Sequence, residues 1–222
     1  MKDTANTLLN RIEFPVLLAG LVIAGGLWGF EELMEVARAT APHAFDTEIL
    51  LAFRQAGQPG IPLGPPWLEG AVRDITSLGS ASVLVLITAA MIIYLLLIRR
   101  PGTALLIFVA VAGGQVLSSL LKVGVDRPRP ELVSHLVSET SLSFPSGHAM
   151  LSAVTYLTLG SLAARFLHGR ATKIYVLSLA VLTAVLVGVS RIYLGVHYPT
   201  DVLAGVGLGI VVAAVPLLIA AA

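Results

Sequence analysis

The sequence predicts an all-helical polytopic bundle of six transmembrane helices, with a short interfacial helix in the first outer loop. Three observations carry this. The chain is 56% hydrophobic and 12% charged, with a mean hydropathy of +0.90, well away from a water-soluble domain. Six apolar stretches approach the roughly 17 to 25 residues a helix needs to cross the hydrocarbon core, where the backbone must pair its own polar groups. The basic residues, finally, collect in alternate connections.

The first stretch, 14–30, follows Arg11 and Glu13 and has no cleavage pattern behind it, so it reads as a retained span rather than a signal peptide. Glu31, Glu32 and Glu35 read as its solvated exit. In the long segment that follows, Asp46, Ile49, Leu50, Phe53 and Arg54 suggest a short amphipathic helix at the interface. Pro59, Pro62, Pro65 and Pro66 then predict an irregular turn. The remaining spans are 81–98, 102–121, 148–166, 174–190 and 202–221, mostly bounded by charge or proline. Gly113, Gly114, Gln115, Ser118 and Ser119 in the third span favour close helix packing over a polar pathway. Trp67, Tyr193 and Tyr198 read as interfacial belt residues. No internal repeat breaks the chain, so 1–222 is expected to be a single integral-membrane domain with a motif-bearing core at about 102–221.

Lys2 and Arg11, Arg99 and Arg100, and Arg165, Arg170 and Lys173 all fall on one side of such a bundle, which predicts cytoplasmic termini. The long first loop, richer in acidic than basic residues, faces the other way. With 14 basic and 13 acidic residues, the net charge of +1 gives no electrostatic case for binding nucleic acid. The absence of cysteine excludes disulfides, thiolate zinc sites and thiol catalysis.

Lys122, Arg127, Arg129 and Arg191 break the basic-inside rule, and with Asp126, His148, His197 and Asp201 they sit at the outer ends of spans three to six. Three short segments, 122–130, 143–148 and 190–201, would converge there. In 122–130 an ammonium group is followed by guanidinium groups able to fork onto phosphate oxygens, in a stretch that prolines hold extended. In Phe144-Pro145-Ser146-Gly147-His148 a glycine lets backbone N–H groups approach an anion where the fourth helix begins, beside a hydroxyl donor. Ser146 and Gly147 could equally cap that helix. In the third segment, Ser190-Arg191 precedes His197, and Asp201 lies four residues beyond it, with Pro199 suited to a first helical turn. Phosphate monoester hydrolysis needs cations on the equatorial oxygens, an in-line nucleophile and an acid for the leaving alkoxide. A carboxylate-bonded imidazole suits the nucleophile, which fits His197 with Asp201, and His148 suits the acid. Asp126 and Arg127 either pair with each other or face solvent and stay outside this set.

The pattern Lys-x6-Arg-Pro, Pro-Ser-Gly-His and Ser-Arg-x5-His-x3-Asp resembles the type 2 phosphatidic acid phosphatase superfamily, which includes membrane lipid phosphatases and soluble vanadium-dependent haloperoxidases. All three motifs are complete. The resemblance implies that Lys122, Arg129, Arg191, Ser146 and Gly147 bind phosphate, that His148 is the acid, His197 the nucleophile and Asp201 its partner, and that no metal or cofactor takes part. It implies a bacterial inner or plasma membrane enzyme with its site on the periplasmic face. Its partners would be the bilayer and a phosphorylated lipid: undecaprenyl diphosphate, phosphatidic acid, phosphatidylglycerol phosphate or a lipid A anchor. The first eighty residues carry no such signature, and substrate choice is expected to be encoded there.

A small transporter is the competing class, but it predicts ionisable residues near the midplane, and the six stretches carry charge only at their ends. Halide oxidation on bound vanadate would keep the fold, yet six spans favour a lipid substrate. A non-catalytic lipid-binding relative should lack one of the two histidines.

Overall fold

The computed structural model describes the backbone of residues 2–39 and 41–219 and the side chains of 16–39 and 41–215. The order of elements is α1 (Lys2–Arg38), α2 (Ala44–Ala52), a hairpin of β1 (Arg54–Gln55) and β2 (Gln58–Pro62), α3 (Pro66–Ser77), α4 (Ala81–Leu97), α5 (Pro101–Val125), α6 (Gly147–Phe166), α7 (Arg170–Tyr193) and α8 (Pro199–Ile219). Local chemistry sets several of these boundaries. Pro66, Pro101 and Pro199 open their helices, where a missing N–H is harmless. Ser80 caps α4 by accepting the Val83 amide at 3.4 Å. Asp126, in the left-handed region at φ 54°, ends α5.

The bundle is built around α6, which packs on α4, α5, α7 and α8, while α1 packs on α8 and α3 on α7. The α6–α8 crossing is tight because α8 presents glycine. A Cβ on Gly205 would lie 2.7 Å from the Ser146 carbonyl oxygen, and one on Gly209 2.7 Å from that of Met150. The outward faces are apolar: Leu21, Leu86, Leu97, Leu105 and Phe108 are each more than half exposed, a surface suited to lipid rather than water. The C-terminal ends of α5 and α7 meet the N-terminal ends of α6 and α8 at one end of the bundle, beneath α2, the hairpin, α3 and the 126–146 loop. That convergence positions the site.

Four described helices, α1, α5, α6 and α7, are long and apolar enough to cross a membrane, and α3 with α4, bent by 43°, make a fifth if they form one span. Over its described part, Pro199–Val215, α8 is a shorter apolar helix. The expected second span therefore does not stand alone, since α4 has 17 residues and continues from α3 through a bend.

The first loop departs most from expectation. A helix does form at 44–52, but Asp46 and Leu50 on it are fully buried, and Arg54 just beyond is 4% exposed. The polar residues that suggested an interfacial surface are turned inward and bonded to protein. The proline-rich turn holds the hairpin, and Pro66 begins α3 instead of extending irregular chain. Tyr193 and Tyr198 are buried, 5% and 7% exposed, so they are not belt residues; Trp67, at 70%, remains open. In α5, a Cβ on Gly114 would lie 3.4 Å from Val154, consistent with close packing, whereas Gly113 faces open space.

Candidate active site

A cavity of about 300 Å³ opens where the four helix ends meet, lined among others by Lys122, Arg129, Glu139, Gly147, His148 and His197. Five of the eight residues singled out from sequence thus face one space. Ser146, Arg191 and Asp201 stand just behind it, each nearly or fully buried.

His197 precedes α8 in a turn held by Gly195, whose φ of 76° and close approach to Ser134 exclude a side chain there. Its imidazole is 1% exposed. Nδ1 lies 3.4 Å from Asp201 Oδ2 and 3.3 Å from Ser143 Oγ, while Nε2 lies 3.3 Å from Arg129 Nη1 on the cavity side. Desolvation by burial drives its pKa down to about 4, against the opposing pull of Asp201, so the ring is neutral at physiological pH. Asp201 itself is saturated. Oδ2 accepts from Ser143 Oγ at 2.5 Å and from the Tyr198 amide at 2.9 Å, and Oδ1 accepts from Arg127 Nη1 at 2.6 Å.

The cations are held by backbone carbonyls, by hydroxyls and by one carboxylate. Lys122 Nζ donates to the Leu142 carbonyl. Arg129 donates to the Ser141 carbonyl at 2.7 Å and to the Val196 carbonyl at 2.6 Å. Arg191 donates to Thr76 Oγ1 at 3.0 Å and forms an ion pair with Glu139, which also lies 3.6 Å from Arg129. Burial pushes the Glu139 carboxyl upward, but the Arg191 charge and hydrogen bond outweigh it, with Arg129 adding to them, and hold it below the usual carboxylate range. Ser146 occupies the N-cap position of α6 without making a cap bond, and its buried Oγ has no partner among the described residues. A buried hydroxyl left unpaired at a helix start is able to donate to an anion.

Several residues here lay outside the sequence reading. Arg127 neither pairs with Asp126 nor faces solvent: it is 5% exposed and bridges Asp46 and Asp201. Its position in the repeated Arg-Pro-Arg-Pro run was the one available signal. Glu139, Ser141 and Thr76 lie in loops or in α3, and no motif marks them.

A family model described as the PAP2 superfamily matches residues 103–221, more than half of the chain. The chain belongs to this superfamily. Phosphatidylglycerophosphatase B of Bacillus subtilis is 39% identical over 152 residues, covering 65% of this chain and 71% of that protein. A crystal structure described as the first transmembrane PAP2-type phosphatidylglycerolphosphate phosphatase, from Bacillus subtilis, superposes with a TM-score of 0.79 at 30% identity, covering 89% of this chain and 94% of the other. Aquifex aeolicus LpxE follows with a TM-score of 0.60 at 26% identity, covering 79% and 96%. This PAP2 protein is accordingly a multi-pass membrane phosphatase, with a fold likeness that extends beyond the matched residues to 89% of the chain.

Proposed function

We propose that this PAP2 protein hydrolyses the phosphate of a membrane lipid through a phosphohistidine at His197, without a metal, on the extracytoplasmic face. The observation that carries the reading is a polar cavity and an apolar groove that share part of their lining. The polar cavity shares Ala81, Gln115 and Leu151 with an apolar groove of about 420 Å³ between α4 and α5, walled by Leu84, Val85, Ile92, Phe108 and Val111. From Ala81 to Ile93 the groove follows α4 for roughly 18 Å at 1.5 Å per residue, comparable with half of a ~30 Å hydrocarbon core. A phosphorylated head with a long apolar tail fits both parts; a water-soluble phosphate fills only one.

Phosphate in the cavity would be held by Lys122, Arg129 and Arg191, with Ser146 Oγ and the Gly147 amide at the start of α6. The Nε2 lone pair of His197 attacks phosphorus while the bond to the lipid oxygen breaks and His148 protonates the departing alkoxide. Water then attacks the phosphohistidine, His148 takes its proton, the P–N bond breaks and inorganic phosphate leaves. Asp201 holds the Nδ1–H tautomer, leaving Nε2 as the nucleophile. The three cations supply the charge neutralisation that a metal provides elsewhere. We further propose six crossings, with α3–α4 acting as the second, cytoplasmic termini, and one domain over 1–222. The substrate is one of phosphatidylglycerol phosphate, phosphatidic acid, undecaprenyl diphosphate or a lipid A phosphate, with the first taken as most favoured because of the named relatives.

The test is phosphate release from those four lipids by detergent-solubilised protein, with chelator and with His197→Ala as control. Turnover that survives chelator and vanishes in the variant is expected; turnover by His197→Ala refutes the nucleophile.

A further inference from the structure

The PAP2 match begins at residue 103, yet a residue far upstream reaches the catalytic carboxylate. Asp46 on α2 is fully buried and accepts three bonds: from Arg127 Nη2 at 2.9 Å, from the Thr200 amide at 2.9 Å and from Thr200 Oγ1 at 2.7 Å. Arg127 turns its other terminal nitrogen, Nη1, to Asp201 Oδ1 at 2.6 Å and to Thr200 Oγ1 at 2.8 Å. Its guanidinium carbon lies 4.1 Å from the centroid of the Tyr198 ring. The result is a buried row of alternating charge, Asp46–Arg127–Asp201, ending at His197. A structural clamp between α2 and α8 would need only the Asp46 bonds to Thr200. Arg127 adds a grip on the oxygen of Asp201 that the imidazole does not use, which fixes where the other oxygen points.

We propose that Arg127, anchored by Asp46, is a positioning residue that aims the Asp201 carboxylate at His197, so that the first outer loop forms part of the catalytic apparatus. This rests on the assignment of His197 as nucleophile. Arg127 does not line the catalytic cavity and leaves the phosphate cations untouched, so its loss acts on kcat rather than on KM. A hydrogen bond to a charged group is worth enough to change kcat by about 10- to 100-fold.

Structure and function are separated by two variants of the full chain in detergent. Arg127→Met leaves two buried carboxylates with one fewer cation and lowers the melting temperature along with kcat. Arg127→Met/Asp46→Asn removes one charge of each sign, so the buried net charge is that of the native protein and the melting temperature recovers. The expected result is that kcat stays about 10- to 100-fold low in the double variant, with KM and inhibition by inorganic phosphate within about two-fold of native. Arg127→Lys, which keeps the charge without the fork, should regain part of kcat. If the double variant regains both melting temperature and kcat, Arg127 is a structural clamp and the inference is overturned. Should Arg127→Met alone fail to fold, the charge-balanced variant still decides. Turnover in His197→Ala would instead overturn the underlying assignment.

Discussion

Glu139 occupies the space where an incoming phosphate would meet Arg191 and Arg129, and replacing it with glutamine removes an anion from that space while keeping its shape. The magnitude follows from the contacts. Glu139 forms one charge-assisted hydrogen bond with Arg191, whose side chain is 2% exposed, and a second, longer ion pair with Arg129 at 3.6 Å. Such a bond contributes about 1.5–3 kcal/mol when shielded. The Glu139 side chain is 22% exposed, so solvent reduces this to about 1–2 kcal/mol. A phosphate that must displace the carboxylate overcomes that amount, and Glu139→Gln should therefore tighten inorganic phosphate or vanadate inhibition by about 5- to 30-fold. Because the carboxyl is held below its usual range, the gain should not vary with pH above about 6. The same substitution removes the carboxylate paired with Arg129 and Arg191, so the melting temperature without phosphate should fall and recover when phosphate is added. The assay is competitive inhibition of lipid turnover, paired with thermal melts across phosphate concentrations. An unchanged inhibition constant together with a lowered melting temperature would refute displacement. A weakened one would mean that Glu139 acts with the bound anion rather than against it.

Other outcomes follow from the same geometry. His148→Ala should cost about 100-fold or more in kcat on a lipid alkoxide but much less on p-nitrophenyl phosphate, whose leaving group needs no proton; equal losses on both would remove the acid role. Ala89→Trp, which fills the α4–α5 groove, should raise KM for long-chain lipid phosphates while leaving p-nitrophenyl phosphate turnover within about two-fold, and a uniform effect would disconnect the groove from substrate. Gly205→Ala should lower stability by about 1–3 kcal/mol in denaturant melts, because its Cβ meets backbone rather than a movable side chain. For His197, the folded pKa of about 4 lies below the ordinary 6.5, so the unfolded chain binds more protons between those values. Its contribution should be fully present above about pH 6.5 and lost progressively towards pH 4; a His197→Gln protein should show a shallower acid decline in melting temperature, and an identical decline would reject the burial argument.

How far the sequence reached depended on how local each signal was. Hydropathy marked the apolar helices, because lipid imposes its demand residue by residue along a helix. Lys122, Arg129, Gly147, His148 and His197 could be placed together because each motif sits within a few residues of a helix end, and alternating helices bring those ends to one level. Short-range chemistry likewise put Pro66, Pro101 and Pro199 at helix starts, although only the last was read that way.

What tertiary structure alone decided is where the remaining charges find their partners. Asp46 and Arg54 read as the wet side of a surface helix, and Arg127 as paired with Asp126 or facing solvent, since each is polar and its buried partners do not lie at helical spacing. Their partners lie far along the chain: Arg127 is 81 residues from Asp46 and 74 from Asp201, and Arg54 is 139 from the Tyr193 carbonyl it binds at 2.8 Å. Periodicity sees only a few turns of helix, and a buried ion pair is settled by which surfaces meet when the bundle closes. The bend between α3 and α4 and the placement of Glu139 against Arg191 arise the same way. The sequence by itself determined an apolar helical chain with a cluster of cations and histidines at one end; packing decided which carboxylates hold that cluster in place, because desolvation makes an unpaired buried charge too costly to leave and so selects its partner in space rather than in sequence.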